Sequence, residues 1–173
     1  DNPGVTVVQR ASNQIEDLIK GGIDVAIRGH MDTLPDSSLI QLRLARVEWH
    51  LFCSPDYHDT LHPYDDPSAL ANHPALVLGR PGATHQWLLS DGDGQSASVP
   101  YRMRFASDDM STLKNAAALS LGLVALPSYV CQPEVEAGSL VRVLPGWTAG
   151  LPQISLLMPS RRGLLPAFEV FLD

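Results

Sequence analysis

The sequence predicts an α/β protein, because short apolar segments typical of strands alternate with segments of helical periodicity. Residues 5–10 form a β-branched run, and residues 23–28 form a second, largely apolar run. Between them, Ser12 occupies the position of a helix N-cap, apolar side chains follow at helical spacing, and Gly21 and Gly22 mark the helix end. A strand, a helix and a strand in this order form a parallel crossover unit, which implies a sheet covered by helices.

The rest of the chain continues this alternation. The turn at residues 91–94, Asp-Gly-Asp-Gly, lies between two apolar runs and predicts a hairpin. Short helices are expected to start at residues 54–56 and at residues 66–70, with a proline at a first-turn position. We predict further extended segments at residues 39–53, 75–78, 87–89, 99–103, 123–126, 140–144 and 154–158, and helices at residues 107–121 and 165–172.

The composition is that of a folded domain that does not bind nucleic acid by itself. Of the 173 residues, 45% are hydrophobic and 18% are charged, as in globular proteins. The 12 basic and 19 acidic side chains give a formal net charge of −7, and such an acidic surface repels phosphate backbones. The longest apolar stretch, residues 116–130, is interrupted by Ser120, Gly122 and Pro127, so we expect no membrane span.

Two features favour a cytoplasmic location. The sequence begins at Asp1 without the charged and apolar regions of a targeting peptide. Cys53 and Cys131 are the only cysteines, and their spacing is that of neither a metal site nor a CxxC motif. We therefore expect two reduced thiols in a reducing compartment.

One histidine pair raises the alternative of a metal-dependent hydrolase. His58 and His62 are four residues apart, which on a helix places two imidazoles on one face. The pattern is close to that of metalloproteases, but Asp59 replaces the glutamate that acts as general base, and no third ligand follows. Pro55 and Pro63 also leave barely two helical turns. We therefore expect surface histidines and no metal site.

Nucleotide and calcium sites are disfavoured by their sequence context. Residues 92–97 fit the dinucleotide fingerprint formally, but no helix follows and residues 98–100 are extended in character. A calcium loop that begins at Asp91 would need an acidic ligand where Arg102 stands. Since the chain also lacks a nucleophile motif and a phosphate loop, we expect no catalytic residue and no cofactor.

Polar residues at the ends of predicted strands form the candidate ligand site. In a doubly wound sheet, ligands bind beyond the carboxyl ends of parallel strands, where helix N-termini offer free amides. Arg80 and His30 have the chemistry to pair with a carboxylate, although a surface salt bridge is the alternative for Arg80. For each of Ser12, Ser107 and Asp108, helix capping is at least as good an interpretation as ligand contact. The candidate residues are Ser12, Gly29, His30, Arg80, Ser107, Asp108 and Asp109.

Six stretches carry a resemblance to a known family. They are DLIKGGIDVAIR at residues 17–28, LPDSSLI at 34–40, LFCSPDY at 51–57, LSLGLVALP at 119–127, EVEAGSLVRVL at 134–144 and MPSRR at 158–162. In this order they resemble the effector-binding domain of LysR-type transcriptional regulators. The departures are a Phe-Cys pair at residues 52–53 in place of smaller residues, Ser120 in place of a glycine, and Glu134 in place of an aspartate. The resemblance runs from about Val5 to Asp173, which is nearly the whole chain.

The resemblance implies a two-lobed fold similar to that of periplasmic binding proteins, with each lobe a mostly parallel sheet flanked by helices. Lobe one would hold residues 1–49 and 151–173, and lobe two would hold residues 50–150. The chain would cross between the lobes twice, and a small-molecule effector would bind in the cleft between them.

The resemblance also indicates what such a regulator has beyond this sequence. The family carries an N-terminal winged helix-turn-helix, so contact with DNA is expected only through that domain. A strand and a helix also precede the position of Asn2 in the family, which would leave lobe one incomplete at its N-terminus. In the parent protein we expect dimers or tetramers, formed through residues 5–8 and the helix at residues 109–120. A periplasmic solute-binding protein, with the same architecture, remains the alternative function.

Overall fold

The chain folds into two compact units. The computed structural model describes residues 3–12, 17–30, 38–61, 66–79 and 85–159. We call Asp1–Ala45 together with Gln153–Asp173 the split unit, and Arg46–Pro152 the continuous unit. The chain therefore leaves the split unit once and returns to it once.

The split unit contains a three-stranded sheet. Its strands are β1 (Ala26–His30), β2 (Ile40–Arg46) and β11 (Gln153–Met158), in the spatial order β1, β11, β2. Strands β1 and β11 are antiparallel. Leu156 and Met158 pack with the apolar side chains of β2 on one face of this sheet. Because side chains alternate along a strand, Ser155 lies on the opposite face.

The strand predicted at residues 5–10 is not formed. These residues have no regular secondary structure, and Val7 and Val8 are 67% and 83% exposed. A β-branched run forms a strand only where a neighbour exchanges backbone hydrogen bonds with it, and none of the described strands is paired with these residues. The prediction of a parallel crossover unit at this point is therefore wrong for the described residues.

The chain reversal predicted at Gly21 and Gly22 is present as a hydrogen-bonded turn, but residues 17–22 form no regular helix, so the helix predicted before it is not seen in its described part. The Gly22 N–H donates to Ile19 O at 3.3 Å, and the Ile23 N–H donates to Leu18 O at 2.9 Å. These two bonds form a Schellman motif, which needs a residue in the left-handed region, and Gly22 has φ +61°. Residues 13–16, which would precede this turn, lie outside the described residues.

The continuous unit is built on a five-stranded sheet. In spatial order its strands are β7 (Arg102–Ser107), β4 (Pro74–Leu78), β8 (Leu123–Pro127), β3 (Trp49–Cys53) and β9 (Val141–Val143). Residues along β4 alternate between two apolar clusters, with Ala75 in one and Leu76 in the other. The sheet is therefore buried on both faces.

The sheets are mixed, which corrects the expectation of mostly parallel sheets. Strand β4 is parallel to β7 and to β8, and these two are joined by the helix α2 (Met110–Ala118) as a crossover requires. Strand β3 is antiparallel to β8 and to β9. The chain reaches β3 and β11 directly on passing from one unit to the other, without a crossover helix, so no connection forces these strands to run parallel to their neighbours.

The predicted hairpin is confirmed. Strands β5 (Gln86–Asp91) and β6 (Ser96–Pro100) are antiparallel, and β10 (Trp147–Thr148) pairs with the other edge of β5. In the turn, the Asp91 carboxylate accepts the backbone N–H groups of Asp93 and Gln95 at 3.0 and 2.8 Å. The glycines at residues 92–97 therefore serve this turn and not a dinucleotide site.

Two short helices begin where they were predicted, and one helix was missed. Ser54 caps α1 (Pro55–Asp59), and Asp66 caps a 3₁₀ turn at Pro67–Leu70. The helix α3 (Ser128–Glu136) was not predicted, because Pro133 lies inside it. The helix predicted at residues 165–172 lies outside the described residues, as does part of the stretch at 158–162. Among the helices that are described, none has the length and apolar character to cross a bilayer.

The two segments that join the units are hydrogen-bonded to each other. The Val47 N–H donates to Pro152 O, and the Trp49 N–H donates to Gly150 O, each at 3.0 Å. The Ala149 N–H donates back to Trp49 O at 2.7 Å. The outgoing and the returning chain therefore form a short ribbon at the start of β3.

Candidate functional site

His30 ends β1 in the split unit and belongs to a polar cluster. Its Nε2 atom lies 2.9 Å from Ser155 Oγ on β11. Gln41 on β2 donates from Nε2 to the same Ser155 Oγ at 2.8 Å, and this amide nitrogen is 3.4 Å from His30 Nε2. Ser155 is fully buried, at 0% exposure. The cluster thus joins all three strands of the sheet through side chains.

The other two candidates in the split unit have less defined surroundings. Gly29 precedes His30 on β1, and a Cβ placed on it would come 3.4 Å from Ile154 Cδ1, an ordinary contact. Glycine is therefore not required there by packing. Ser12 is exposed and lies in the irregular segment before the turn at Gly22. Its predicted role as helix N-cap depends on residues 13–16, which lie outside the described residues.

In the continuous unit, Ser107, Asp108 and Asp109 connect the end of β7 to the start of α2, as predicted. The Gly79 N–H, just past the end of β4, donates to Ser107 O at 2.9 Å. The Ser107 hydroxyl accepts the Asp109 N–H at 3.1 Å. Gly79 also faces Asp108, since a Cβ on this glycine would lie 3.8 Å from Asp108 Oδ1. Two neighbouring strand ends thus meet here, as the candidate site requires. Arg80 follows Gly79 and lies outside the described residues.

Asp109 is the N-cap of α2. Its carboxylate accepts the backbone N–H of Ser111 at 3.3 Å and that of Thr112 at 2.8 Å, together with the Thr112 hydroxyl. These hydrogen bonds, the Thr112 hydroxyl first among them, hold the pKa of the Asp109 carboxyl below its ordinary value. An anionic ligand at this helix end would compete with a carboxylate that already binds the free amides.

Sequence reasoning missed Gln41 and Ser155. Gln41 lies in a strand of otherwise mixed character, and Ser155 interrupts an apolar run without any motif around it. Both reach His30 only through tertiary contact, at separations of 11 and 125 residues along the chain. No local pattern in the sequence signals such a cluster.

Of the two histidines considered above as metal ligands, the structure describes only His58. His58 is in α1, where its Nδ1 lies 3.9 Å from an oxygen of Asp59. His62 lies outside the described residues. Within the ranges that the structure describes, no three His, Cys, Asp or Glu side chains come together as a metal site would need.

The two cysteines are buried and are not joined in a disulfide. Cys53 lies at the end of β3 and Cys131 lies in α3, and each is 0% exposed. Burial raises the pKa of each thiol to about 12. Reactive cysteines need the opposite environment, an accessible site that stabilises the thiolate.

The chain belongs to the LysR substrate-binding domain family. The sequence profile of the family, described as LysR substrate binding domain, matches residues 1–173. This match confirms the resemblance that the six sequence stretches indicated. The α/β, periplasmic-binding-protein-like fold class is likewise confirmed by solved structures of regulatory domains with the same fold.

Several proteins similar to this chain are described as transcriptional regulators. An "HTH-type transcriptional regulator" from Xanthomonas campestris pv. campestris is 28% identical over 99% of this chain and 50% of its own length. The full-length Vibrio cholerae virulence activator AphB superposes with a TM-score of 0.80 at 27% identity, over 99% of this chain and 57% of that one. The regulatory domain of AphB from Vibrio vulnificus superposes with a TM-score of 0.70 at 26% identity, over 94% of this chain and 77% of that one. The chain spans about half the length of the relatives it matches.

Proposed function

We propose that this chain is the effector-sensing part of a LysR-type transcriptional regulator, which binds a small molecule and passes that event to a DNA-binding domain. The family match over residues 1–173 carries this proposal, and the names of the relatives support it. A periplasmic solute-binding protein would share the architecture, but relatives named as transcriptional regulators favour the regulator. Such a role also agrees with a cytoplasmic location and needs no catalytic group.

The effector would be a small polar or anionic molecule held by the strand-end residues. In the split unit these are Ser12, Gly29 and His30, and in the continuous unit they are Arg80, Ser107 and Asp108. The meeting of two strand ends at Gly79 and Ser107 supports the second group, because ligands in sheets with parallel strands bind beyond such ends. Asp109, which we also named as a candidate, is better explained as the cap of α2. We further propose that the two units correspond to lobe one (residues 1–49 and 151–173) and lobe two (residues 50–150).

The partners would be those of the parent regulator. Contact with DNA would come through an N-terminal helix-turn-helix, as the names of the relatives suggest. Dimers or tetramers would use residues 5–8 and the outer side of α2. The exposure of Val7, Val8 and Leu119 supports these surfaces, because each leaves apolar area in water.

The effector site is tested by thermal shift with a panel of small carboxylates and inorganic phosphate. A ligand present at one hundred times its Kd stabilises a folded chain by about 2.7 kcal/mol, which for this length raises Tm by roughly 5 to 10 °C. We expect His30→Ala, Arg80→Ala and Ser107→Ala to reduce this shift.

The control is Ser98→Ala, which removes a hydroxyl bonded to Gln86 on the exposed hairpin. It should leave the ligand-induced shift unchanged. A ligand that stabilises the chain equally in all three site variants would show that it binds elsewhere and would remove the site assignment.

A further inference from the structure

The cluster of His30, Gln41 and Ser155 determines which ring nitrogen of His30 carries the hydrogen. The Gln41 amide nitrogen is a donor only, and it donates to Ser155 Oγ at 2.8 Å. The same nitrogen lies 3.4 Å from His30 Nε2. A hydrogen on His30 Nε2 would therefore lie close to a second donor, and of these two neighbours only Ser155 Oγ, 2.9 Å away, could accept it.

The hydrogen of the Ser155 hydroxyl decides between the two tautomers of His30. Ser155 is fully buried, so water does not accept its hydrogen. Its two side-chain partners are the Gln41 amide, which only donates, and His30 Nε2 at 2.9 Å. The hydroxyl thus accepts from Gln41 and donates to His30 Nε2. Two donors converge on this one nitrogen.

We propose that Gln41 and Ser155 are positioning residues that place the hydrogen of the neutral His30 ring on Nδ1, so that His30 recognises an acceptor oxygen of the effector. The ligand class is then a carboxylate, carbonyl or phosphoryl compound and not an amine. His30 makes a further interaction in the structure, and an effector oxygen would join it or exchange with it. The statement about the ligand rests on the proposed function, whereas the statement about the tautomer does not.

Long-range ¹H–¹⁵N correlation spectra of the histidine-labelled chain test the tautomer without any ligand. His30→Asn identifies the signals, and we expect a pyrrole-type Nδ1 and a pyridine-type Nε2. Gln41→Glu replaces the amide donor by a carboxylate acceptor at an exposed position, so we expect this variant to fold. This variant should move the hydrogen onto Nε2. Ser155→Ala should move the tautomer populations in the same direction.

The control for these spectra is Ser90→Ala, which removes a hydroxyl bonded to Thr148 in the continuous unit. It should leave the His30 signals unchanged. A pyridine-type Nδ1 in the parent chain, or His30 signals that Gln41→Glu leaves unchanged, would overturn the proposal.

Titration with acetate, benzoate and inorganic phosphate tests the ligand class, with ethylamine as the comparison. We expect an anion to shift the His30 Nδ1 signal, and Gln41→Glu to weaken its binding by about tenfold, the loss of one charge-assisted hydrogen bond. Binding of ethylamine that depends on His30 would overturn the ligand class. If the tautomer is as proposed but none of the three anions moves the His30 signals, the ligand class is overturned together with the proposed effector site, and the tautomer assignment stands.

Discussion

At the scale of single residues, Ser120 is the departure from glycine noted in the family resemblance, and it has a backbone conformation that favours glycine. Its φ is +62°, and the bonds from Ser120 N to Ala117 O and from Leu121 N to Ala116 O form a Schellman motif at the end of α2. The Ser120 hydroxyl lies 2.7 Å from the hydroxyl of buried Ser54, which caps α1. Compared with a glycine, the serine at this position costs backbone strain but adds a hydrogen bond between two helix ends.

Replacing Ser120 separates these two effects. Ser120→Ala keeps the left-handed strain and removes the hydrogen bond to Ser54, so we expect a loss of about 1 kcal/mol in the free energy of unfolding. Ser120→Gly loses the same bond but relieves roughly 1 kcal/mol of strain, and should lie close to the parent chain. Urea denaturation measures both. If the glycine variant is the less stable of the two, the strain at this position has been overstated.

The buried thiols give a second prediction for single residues. With the pKa of Cys53 and Cys131 raised to about 12, the folded chain holds almost no thiolate at pH 8. We expect Ellman's reagent to modify neither cysteine until the chain unfolds in urea, and then to modify both. Since the pKa is higher in the folded state than the ordinary value of 9.0, the stability due to these thiols is complete below pH 9 and falls as the pH rises towards 12. Rapid labelling of either cysteine under native conditions would contradict this.

At the scale of secondary-structure elements, the capping of α2 by Asp109 makes the stability of the chain depend on pH. The pKa of this carboxyl is lowered in the folded state, so its contribution to stability is present above the ordinary value of 3.8 and is lost as the pH falls through the folded value. Asp109→Asn should retain most of the cap at pH 7, whereas Asp109→Ala should lower Tm. Melting curves between pH 7 and pH 2.5 should show a smaller acid loss for Asp109→Asn than for the parent chain. Asp93→Asn, on the β5–β6 turn, is the matched control.

The approach of β8 to β4 depends on a glycine. A Cβ on Gly122 would lie 2.4 Å from Pro74 O, a backbone atom, and the residue has φ +152°. We expect Gly122→Ala to cost about 3 kcal/mol or more in the free energy of unfolding, since the two strands would have to separate. Gly146→Ala is the control, because a Cβ there meets nothing within 4 Å, and it should cost less than about 0.5 kcal/mol. Equal losses in the two variants would show that the strands adjust freely.

Elements that depend on local chemistry could be predicted from the sequence, and elements that depend on a partner could not. The hairpin was predicted correctly because Asp91 fixes its turn by bonds to residues two and four positions away. Residues 5–10 have the composition of a strand but lack one, because pairing is decided by the rest of the sheet. The helix α3 was missed because a proline such as Pro133 is unfavourable inside a helix, where it removes one backbone donor. The helix forms nevertheless, because the carbonyl that loses this donor belongs to Tyr129, which is 61% exposed and can be hydrogen-bonded by water.

At the scale of the whole molecule, the family and the fold class could be predicted from motifs spread over the chain, but the site could be predicted only in part. The junction of β7 and α2 at Ser107 and Asp109 was found, because a strand end and a helix cap are both visible in sequence. Gln41 and Ser155 were not found, since they are 114 residues apart and meet only in the folded sheet.

The net charge gives a prediction for the molecule as a whole. The formal charge is −7, and none of the described helices presents a basic face, so this chain should not bind operator DNA at physiological salt. Gel shifts with chain concentrations up to about 10 μM should show no retarded band, since even non-specific DNA binding usually requires a cationic face. Tight binding that persists as the salt concentration rises would contradict this prediction and would point to base recognition within the 173 residues.

The ribbon in which the Val47 N–H meets Pro152 O has a consequence for how such a protein can be rearranged. The two ends of Arg46–Pro152 lie side by side, so in sequence this unit has the character of a domain inserted into the other unit at one point. Insertions with adjacent ends are readily tolerated, because the host chain is interrupted at a single point and its own ends need not move. Exchanging this unit between family members would thus require only two junctions, one near Arg46 and one near Pro152, and no loop would have to be lengthened to connect them.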